Sequence, residues 1–117
     1  MIVQKFGGIA MQNHQNRQLV IQRIQQAINN HQQVLVVVSA MGRRGKPYAT
    51  DTLLDLLPLN DSSIETDLLS ACGELISSAV LTTELKAQGI SSTLLYGKSA
   101  GIITNDTYGN ALIKKVD

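Results

Sequence analysis

Residues 34–42 read Val34-Leu-Val-Val-Val-Ser-Ala-Met-Gly42, and this stretch decides the fold class. Five consecutive aliphatic residues without polar alternation predict a strand that is buried on both faces. Strands of this kind are typical of parallel sheets, whose two faces are covered by helices. The glycine at the end of the stretch favours a tight turn at the carboxyl end of the strand.

The residues before this stretch show the same pattern, a predicted strand followed directly by glycine. Ile2 to Phe6 predict a first strand, and Gly7-Gly8 follow it directly. A helix is predicted between the two strands, roughly from Asn16 to Asn30, because apolar residues recur there at the spacing of one helical face. A strand, a helix and a second strand of this size predict a right-handed βαβ unit.

Two further helices are predicted after Gly42. The first runs from Thr50 to Leu57, with Thr50 or Asp51 as its cap. The second starts at Ser62 and Glu65, which have the spacing of a capping box, and ends near Gln88 before a glycine. Its predicted buried stripe consists of Leu68, Leu69, Cys72, Ile76, Ala79, Val80 and Thr83.

Two more strands complete the predicted pattern, from Ser92 to Tyr96 and from Leu112 to Val116. The element order predicts an α/β fold, a three-layer αβα sandwich with a mostly parallel sheet. We expect residues 1–117 to form a single domain, because this length supports one core and is too short for two ordinary ones.

Composition excludes several classes of function. A net charge of +1 gives no electrostatic footprint for nucleic acid or an anionic membrane, so neither is an expected partner. The longest apolar run is far shorter than the roughly 20 residues of a membrane span. One cysteine rules out an intrachain disulfide, and we expect a cytoplasmic protein. His14 and His31 have no ligand partners nearby in sequence, so no metal site is predicted.

The two glycine loops are the candidate binding elements. Ligands of parallel sheets lie at the carboxyl ends of the strands, where glycines let backbone N–H groups point at an anion. Lys5 precedes the first loop and could neutralise a phosphoryl oxygen. Neither the Rossmann nor the P-loop glycine pattern is present. The spacing alone is therefore compatible with a phosphate site or with simple turns.

Taken together, the segments resemble aspartokinases of the amino-acid kinase family. The similar stretches are Val3-Gln-Lys-Phe-Gly-Gly8, Val37-Val-Ser-Ala-Met-Gly42, Tyr48-Ala-Thr-Asp-Thr-Leu-Leu54, Leu69-Ser-Ala-Cys-Gly-Glu-Leu-Ile-Ser-Ser78 and Gly101-Ile-Ile-Thr-Asn-Asp106. They occur in the family's order and cover nearly the whole chain. This resemblance identifies residues 1–117 as the N-terminal part of an aspartokinase-like catalytic domain.

The resemblance implies ATP-dependent phosphorylation of the side-chain carboxylate of L-aspartate, with Mg²⁺ accompanying ATP, as a step in lysine and related amino-acid biosynthesis. It implies that Lys5 is catalytic and stabilises the transferring phosphoryl group. Phosphate-binding residues would be Lys5, Gly7, Gly8, Ser39, Ala40 and Gly42. Thr50 and Glu74 would hold aspartate, with Glu74 pairing its ammonium group, and Asp51 would organise the loop.

The sequence also departs from the family pattern. Ile9-Ala10 stand where the family usually has Thr-Ser, so two hydroxyls beside the phosphate path are lost. The glycine-rich Arg-Gly-Gly-Ser-Asp segment of the family's nucleotide half does not occur in these residues. We therefore expect no appreciable turnover by this polypeptide alone.

Two further expectations concern partners. A sheet of this family that lacks its later strands would expose apolar faces, which predicts a homo-oligomer or pairing with a fuller kinase subunit. The alternative function is a non-catalytic module that binds aspartate or phosphate, or that pairs with an intact kinase.

Overall fold

The computed structural model describes residues 1–31 and 33–117. Four helices, four strands and one 3₁₀ turn occur in these residues. In chain order they are β1 (Ile2–Phe6), α1 (Gly8–Met11), α2 (His14–Asn30), β2 (Val34–Val38), α3 (Thr50–Leu54), α4 (Ile64–Ala87), the 3₁₀ turn (Gly97–Ala100), β3 (Ile102–Thr104) and β4 (Ile113–Val116).

The predicted βαβ unit is confirmed. Strands β1 and β2 pair in parallel, from Ile2 opposite Val34 to Phe6 opposite Val38. Helix α2 connects them, and its apolar residues form one core with the C-terminal half of α4. The core consists of Met11, Val20, Ile21, Ile24, Met41, Leu81 and Leu85, with Phe6, Val36 and Val38 of the sheet packed against it.

Helices cover one face of this parallel pair. The opposite face carries exposed Val3, Lys5, Leu35 and Val37. The predicted α/β class with a parallel sheet is confirmed, and the described residues supply one of the two helical layers. We call the uncovered surface the open face.

The starts of the helices differ from their predicted positions. Helix α2 begins at His14, because the side chain of Asn13 accepts a hydrogen bond from the Asn16 N–H at 2.8 Å. The capping box predicted for α4 placed Ser62 at the N-cap, but the N-cap residue is Ser63. The Ser63 hydroxyl accepts a hydrogen bond from the Thr66 N–H at 3.3 Å, so the helix begins one residue later. Adjacent serines made the two positions indistinguishable in the sequence.

The predicted cap of α3 is also wrong. Ala49 is the N-cap residue, and its side chain makes no capping hydrogen bond, so Thr50 and Asp51 lie inside the first turn. The helix ends at Leu54, three residues before its predicted end. The first turn nevertheless carries a carboxylate, which the partial positive charge of a helix N-terminus favours.

The buried stripe of α4 was predicted only in part, since Ile76 and Val80 of the predicted stripe pack against the core. Its buried residues are Thr66, Gly73, Ser77, Leu81 and Leu85, whereas Leu68 is 64% exposed. Small residues occupy the face where α4 comes closest to the loops after β2, as the contacts of Gly73 show. Hydrophobic periodicity therefore finds Ile76 and Val80 but misses the small buried residues Gly73 and Ser77.

The C-terminal end of α4 follows the prediction. Gly89 adopts a left-handed conformation with φ of +79°. The Ile90 N–H donates to the Leu85 carbonyl and the Gly89 N–H donates to the Lys86 carbonyl, which is a Schellman motif.

The predicted strand from Ser92 to Tyr96 is not formed, although exposure alternates along residues 91–95 as it does in a strand. The predicted last strand is present as β4 (Ile113–Val116). It pairs antiparallel with β3, which was not predicted, in a separate two-stranded sheet.

Helix α4 is also the one described helix that is long and apolar enough, by length and composition, to cross a membrane. Its most apolar window has a mean hydropathy of 1.3. One such helix is weak evidence for a membrane span, because core helices of soluble proteins pass the same test of length and hydropathy. Residues of α4 contribute to the core with α2 and the sheet.

Candidate phosphate and amino-acid site

The two glycine loops lie against each other through their backbones. The Ser39 N–H donates to the Phe6 carbonyl at 3.0 Å, and the Gly42 N–H donates to the Gly8 carbonyl at 2.7 Å. A Cβ on Gly8 would lie 2.6 Å from the Gly42 oxygen and 3.0 Å from the Ala40 oxygen. Only glycine at position 8 permits this approach, so both loops border one space at the carboxyl ends of β1 and β2.

Helix α4 reaches the same space because another glycine lets it approach closely. A Cβ on Gly73 would lie 2.7 Å from the Ala40 Cβ and 3.1 Å from the Tyr48 carbonyl oxygen. The next residue on the helix is Glu74, which is partly exposed at the border of the space. Gly73 therefore sets how closely the backbone of α4 approaches the second glycine loop.

The loop between β2 and α3 forms the remaining wall. The Gly45 N–H donates to the Thr52 hydroxyl at 3.1 Å, which joins the loop to α3. Arg44 lies 2.8 Å from the Asp55 carboxylate and 3.8 Å from the Asp51 carboxylate. These contacts join the loop to the first turns of α3, where Thr50 lies.

The result is a cleft of about 500 Å³. It is lined by Gly8, Ser39, Ala40, Gly42, Arg43, Arg44, Ala49, Thr50, Asp51 and Glu74. Seven residues that the sequence nominated therefore lie together, although they come from four separate segments. The cleft contains both cationic and anionic side chains, as a site for a ligand with an ammonium group and acidic groups requires.

Lys5 and Gly7 are nominated residues that do not line this cleft. Lys5 lies on the open face of β1, opposite Val37, and its side chain is exposed. Gly7 is the extended N-cap residue of α1, with φ of −78°. Gly7 belongs to the first glycine loop and Lys5 precedes it, but neither contributes to the cleft wall.

Arg43 and Arg44 belong to the cleft and were not nominated from the sequence. The signal was present, because residues 43–46 contain the densest group of basic residues in the chain. A basic loop of this kind is usually solvated. Nothing in the spacing of its residues distinguishes a solvated loop from one that contacts an anion. Among residues 1–31 and 33–117, Arg43 has no carboxylate within ion-pair distance, whereas Arg44 has two.

A partly buried ion pair between Arg17 and Glu84 lies behind the loops. Arg17 donates from Nε and Nη2 to the Glu84 carboxylate at 3.0–3.1 Å, and from Nη1 to the Met11 carbonyl at 2.9 Å. Nη1 also lies 3.8 Å from the sulfur of Met41 in the second glycine loop. One guanidinium group thus connects α1, α2, α4 and the second loop.

The same ion pair changes the acidity of Glu84. Burial alone would raise the pKa of Glu84, but hydrogen bonds from Arg17 and His14, together with their charges, lower it below its ordinary value. The carboxylate is therefore charged at neutral pH and holds the guanidinium in place.

Comparison with known proteins agrees with this architecture. The profile of the amino acid kinase family matches residues 1–117. Aspartokinase 1 of Bacillus subtilis is 49% identical over 116 residues, which cover 97% of this chain and 29% of the relative. An aspartokinase of Helicobacter pylori is 38% identical over 120 residues, covering 100% of this chain and 28% of the relative.

A solved structure of an aspartate kinase is also similar to this chain. Aspartate kinase from Synechocystis superposes with a TM-score of 0.72 at 35% identity, over 86% of this chain and 16% of that one. The chain belongs to the amino acid kinase family. Within that family it is homologous to the aspartokinases, and it spans somewhat under a third of the length of the curated relatives it matches.

Proposed function

We propose that the cleft is the aspartate-facing and phosphate-facing part of an aspartokinase-type site. The whole reaction would be the ATP-dependent phosphorylation of the side-chain carboxylate of L-aspartate, in the biosynthesis of lysine and related amino acids. The observation that carries this proposal is the meeting of both glycine loops with Thr50, Asp51 and Glu74 around one cleft. The names of the homologous enzymes supply the substrate.

The proposed roles follow from charge and position. Glu74 supplies a carboxylate for the ammonium group of aspartate, and the Thr50 hydroxyl can hydrogen-bond to one of its carboxylates. Asp51 holds the loop through Arg44, at 3.8 Å. Glycine backbone at Gly7, Gly8 and Gly42, together with Ser39 and Ala40, would border the transferring phosphoryl group.

Two cations complete the proposed phosphate path. Lys5 would approach the phosphoryl group from the open face, and Arg43 would approach it from the cleft wall. Phosphoryl transfer depends chiefly on positioning and on neutralising charge on the phosphoryl oxygens, which requires no covalent intermediate with the protein. This chain's glycine loops and cations are suited to both tasks.

ATP would enter with Mg²⁺ already coordinated by its phosphates, because Mg²⁺ in such sites is bound largely through substrate phosphates and water. Among residues 1–31 and 33–117, no group of three His, Cys, Asp or Glu side chains could hold a metal ion. The cleft residues suit the phosphoryl end of ATP, and the glycine-rich Arg-Gly-Gly-Ser-Asp segment of the family's nucleotide half does not occur in residues 1–117. We therefore propose that this polypeptide alone has no appreciable turnover.

The proposed setting is the cytoplasm, with the chain in a homo-oligomer or paired with a fuller kinase subunit. The support for association is the open face, on which Val3, Leu35 and Val37 are 41–59% exposed. The second candidate function is a non-catalytic module that binds aspartate or phosphate, or that pairs with an intact kinase. It is favoured by the cleft itself, which is formed without any other chain.

Calorimetric titration of L-aspartate into the purified chain tests the proposal. We expect binding that is lost in Glu74→Gln, which keeps the side-chain shape and removes the charge. Glu65→Gln is the matched control, because Glu65 lies on the same helix, is exposed and does not line the cleft. Binding that survives in Glu74→Gln would contradict the proposed role of the carboxylate.

The same preparations test turnover. We expect no release of ADP when Mg²⁺, ATP and L-aspartate are supplied together. Release that disappears in Lys5→Ala would contradict the proposal that this polypeptide alone is inactive.

A further inference from the structure

Ser77 is a buried residue of α4 to which the proposed function gives no role. Its side chain is 0% exposed, and its hydroxyl has no hydrogen-bond partner among residues 1–31 and 33–117. A buried hydroxyl without a partner loses its hydration and gains no hydrogen bond in exchange, so such groups are rare in native proteins. The presence of serine at this position therefore calls for a physical explanation.

Other hydroxyl side chains of the same helix are paired. Ser78 donates to the Glu74 carbonyl and Thr82 donates to the Ser78 carbonyl, both at 2.7 Å. Serine within a helix ordinarily bonds in this way to the carbonyl of the preceding turn. The Ser77 hydroxyl makes no such bond to the Gly73 carbonyl in the described chain. It is therefore free to pair with a neighbouring segment.

That neighbouring segment is the second glycine loop. Gly73, one turn before Ser77, lies against the loop, because a Cβ on Gly73 would be 2.7 Å from the Ala40 Cβ. Leu81, one turn after Ser77, belongs to the same buried cluster as Met41. Helix residues four apart lie on one face, so Ser77 faces the part of the loop that contains Ala40 and Met41.

The loop is anchored on both sides of these two residues but not at them. The Ser39 N–H donates to the end of β1, and the Gly42 N–H donates to the Gly8 carbonyl. No backbone–backbone hydrogen bond involves Ala40 or Met41 within the part of the chain that the structure describes. The peptide group that joins them can therefore turn while both anchors stay in place.

The Ala40 carbonyl lies beside the first glycine loop in this conformation. Its oxygen is 3.0 Å from the position of a Cβ on Gly8, and both residues line the cleft. A carbonyl oxygen repels an anion, whereas a backbone N–H attracts one. The two groups of a peptide unit point in opposite directions. An anion in the cleft therefore favours a turn of this peptide that moves the Ala40 carbonyl towards α4 and the Met41 N–H towards the cleft.

We propose that Ser77 is a positioning residue that stabilises this turned form of the second glycine loop. In the turned form, the Ser77 hydroxyl donates to the Ala40 carbonyl and the Met41 N–H donates to an anion such as a phosphoryl group. The inference rests on the proposed phosphate-facing role of the cleft. Because the hydroxyl gains its partner in the turned form, it shifts the loop towards the form that binds the anion.

Inorganic phosphate is the probe for this role, and Ser77→Ala is the first variant. Loss of the unpaired hydroxyl should raise the urea midpoint of the phosphate-free chain. The same change should weaken phosphate binding, measured by ¹H–¹⁵N NMR titration, by roughly fivefold, the factor for one ordinary hydrogen bond. A serine with a structural role alone would not move stability and affinity in opposite directions.

Two further variants separate the hydroxyl from its surroundings. Ser77→Cys nearly keeps the side-chain volume but is a weaker donor, so its phosphate affinity should lie between those of the unaltered chain and Ser77→Ala. Thr82→Val is the matched control, because its hydroxyl lies on the same helix, already has a partner and does not line the cleft. It should leave phosphate affinity unchanged.

Relaxation-dispersion NMR of the phosphate-free chain gives a readout that needs no ligand. We expect microsecond-to-millisecond exchange at Ala40 and Met41, caused by the minor turned form, and we expect it to disappear in Ser77→Ala. Phosphate should increase the population of the turned form in the unaltered chain.

Two outcomes would overturn the role of Ser77. One is equal phosphate affinity in the unaltered chain and in Ser77→Ala. The other is loop exchange that is absent, or that persists in Ser77→Ala. A different result separates this inference from the proposed function: exchange that depends on Ser77 in a chain that binds no phosphate would support the pairing of Ser77 with the loop and contradict the phosphate-facing role of the cleft.

Discussion

Replacement of Arg17 by methionine tests how the loops are supported. Arg17 is 8% exposed, and the Glu84 side chain is 17% exposed. Methionine keeps the apolar stem and removes every donor to Glu84 and to the Met11 carbonyl. A hydrogen bond to a charged group contributes about 1.5–3 kcal/mol, and breaking a fully buried ion pair costs about 3–5 kcal/mol. Because this pair retains some solvent contact, we expect a loss of about 2–3 kcal/mol.

The measurement is urea-induced unfolding at pH 7, followed by circular dichroism. The double variant Arg17→Met/Glu84→Leu leaves no unpaired charge, so it should lose less than the sum of the two single variants, by at least about 1 kcal/mol. A single-variant loss below about 0.5 kcal/mol, or strictly additive losses, would refute the reasoning.

The pH dependence of folding stability supplies an independent check on the ion pair of Arg17 and Glu84. The pKa of Glu84 is lower in the folded chain than its ordinary value of 4.5, so the unfolded chain binds the proton more readily. The stabilisation is complete above that ordinary value and is lost as pH falls through the lower, folded value. Glu84→Gln should therefore flatten this part of the stability profile, and an unchanged profile would count against the assignment.

Three further predictions use the same unfolding assay. Gly8→Ala should cost about 2–3 kcal/mol, because its Cβ would lie 2.6 Å from the Gly42 oxygen, and a loss below 1 kcal/mol would show that the loops can separate easily. Gly89→Ala should cost about 1 kcal/mol, because residue 89 has φ of +79° with open space around it; no loss would mean that the helix end rearranges. Lys5→Ala should change stability by less than about 0.5 kcal/mol, since Lys5 is exposed; a larger loss would indicate a structural role for this side chain.

The sequence was sufficient to predict the βαβ unit and the meeting of the two glycine loops at one edge of the sheet. Continuous aliphatic runs ending in glycine locate β1 and β2, and glycine loops at the carboxyl ends of parallel strands must lie at one edge of the sheet. The loop between β2 and α3 brings Thr50 to that edge. Gly73 lets α4 approach closely, which brings Glu74 there as well. This last step came from resemblance to a family, because neither residue has a local pattern that indicates a ligand.

Other features could not be predicted for physical reasons. Residues 91–95 alternate in exposure as a strand does, but a strand needs a hydrogen-bonded partner, and none of the described strands pairs with them. Hydrophobic periodicity finds Ile76 and Val80 at the core but does not detect Gly73 and Ser77, the small buried residues of α4. Arg43 has the same sequence signature as a solvated loop residue, and only the course of the loop places it in the cleft.

The most direct test of the account is an ¹H–¹⁵N NMR titration of the chain with L-aspartate. The account predicts chemical-shift changes that saturate and that are concentrated at Gly42, Thr50, Asp51 and Glu74, with little change in the distant hairpin of β3 and β4. Succinate, which lacks the ammonium group, should produce much weaker changes at Glu74. Saturating shifts that lie outside the cleft, or no shifts from a folded sample, would contradict the central claim that this cleft holds aspartate.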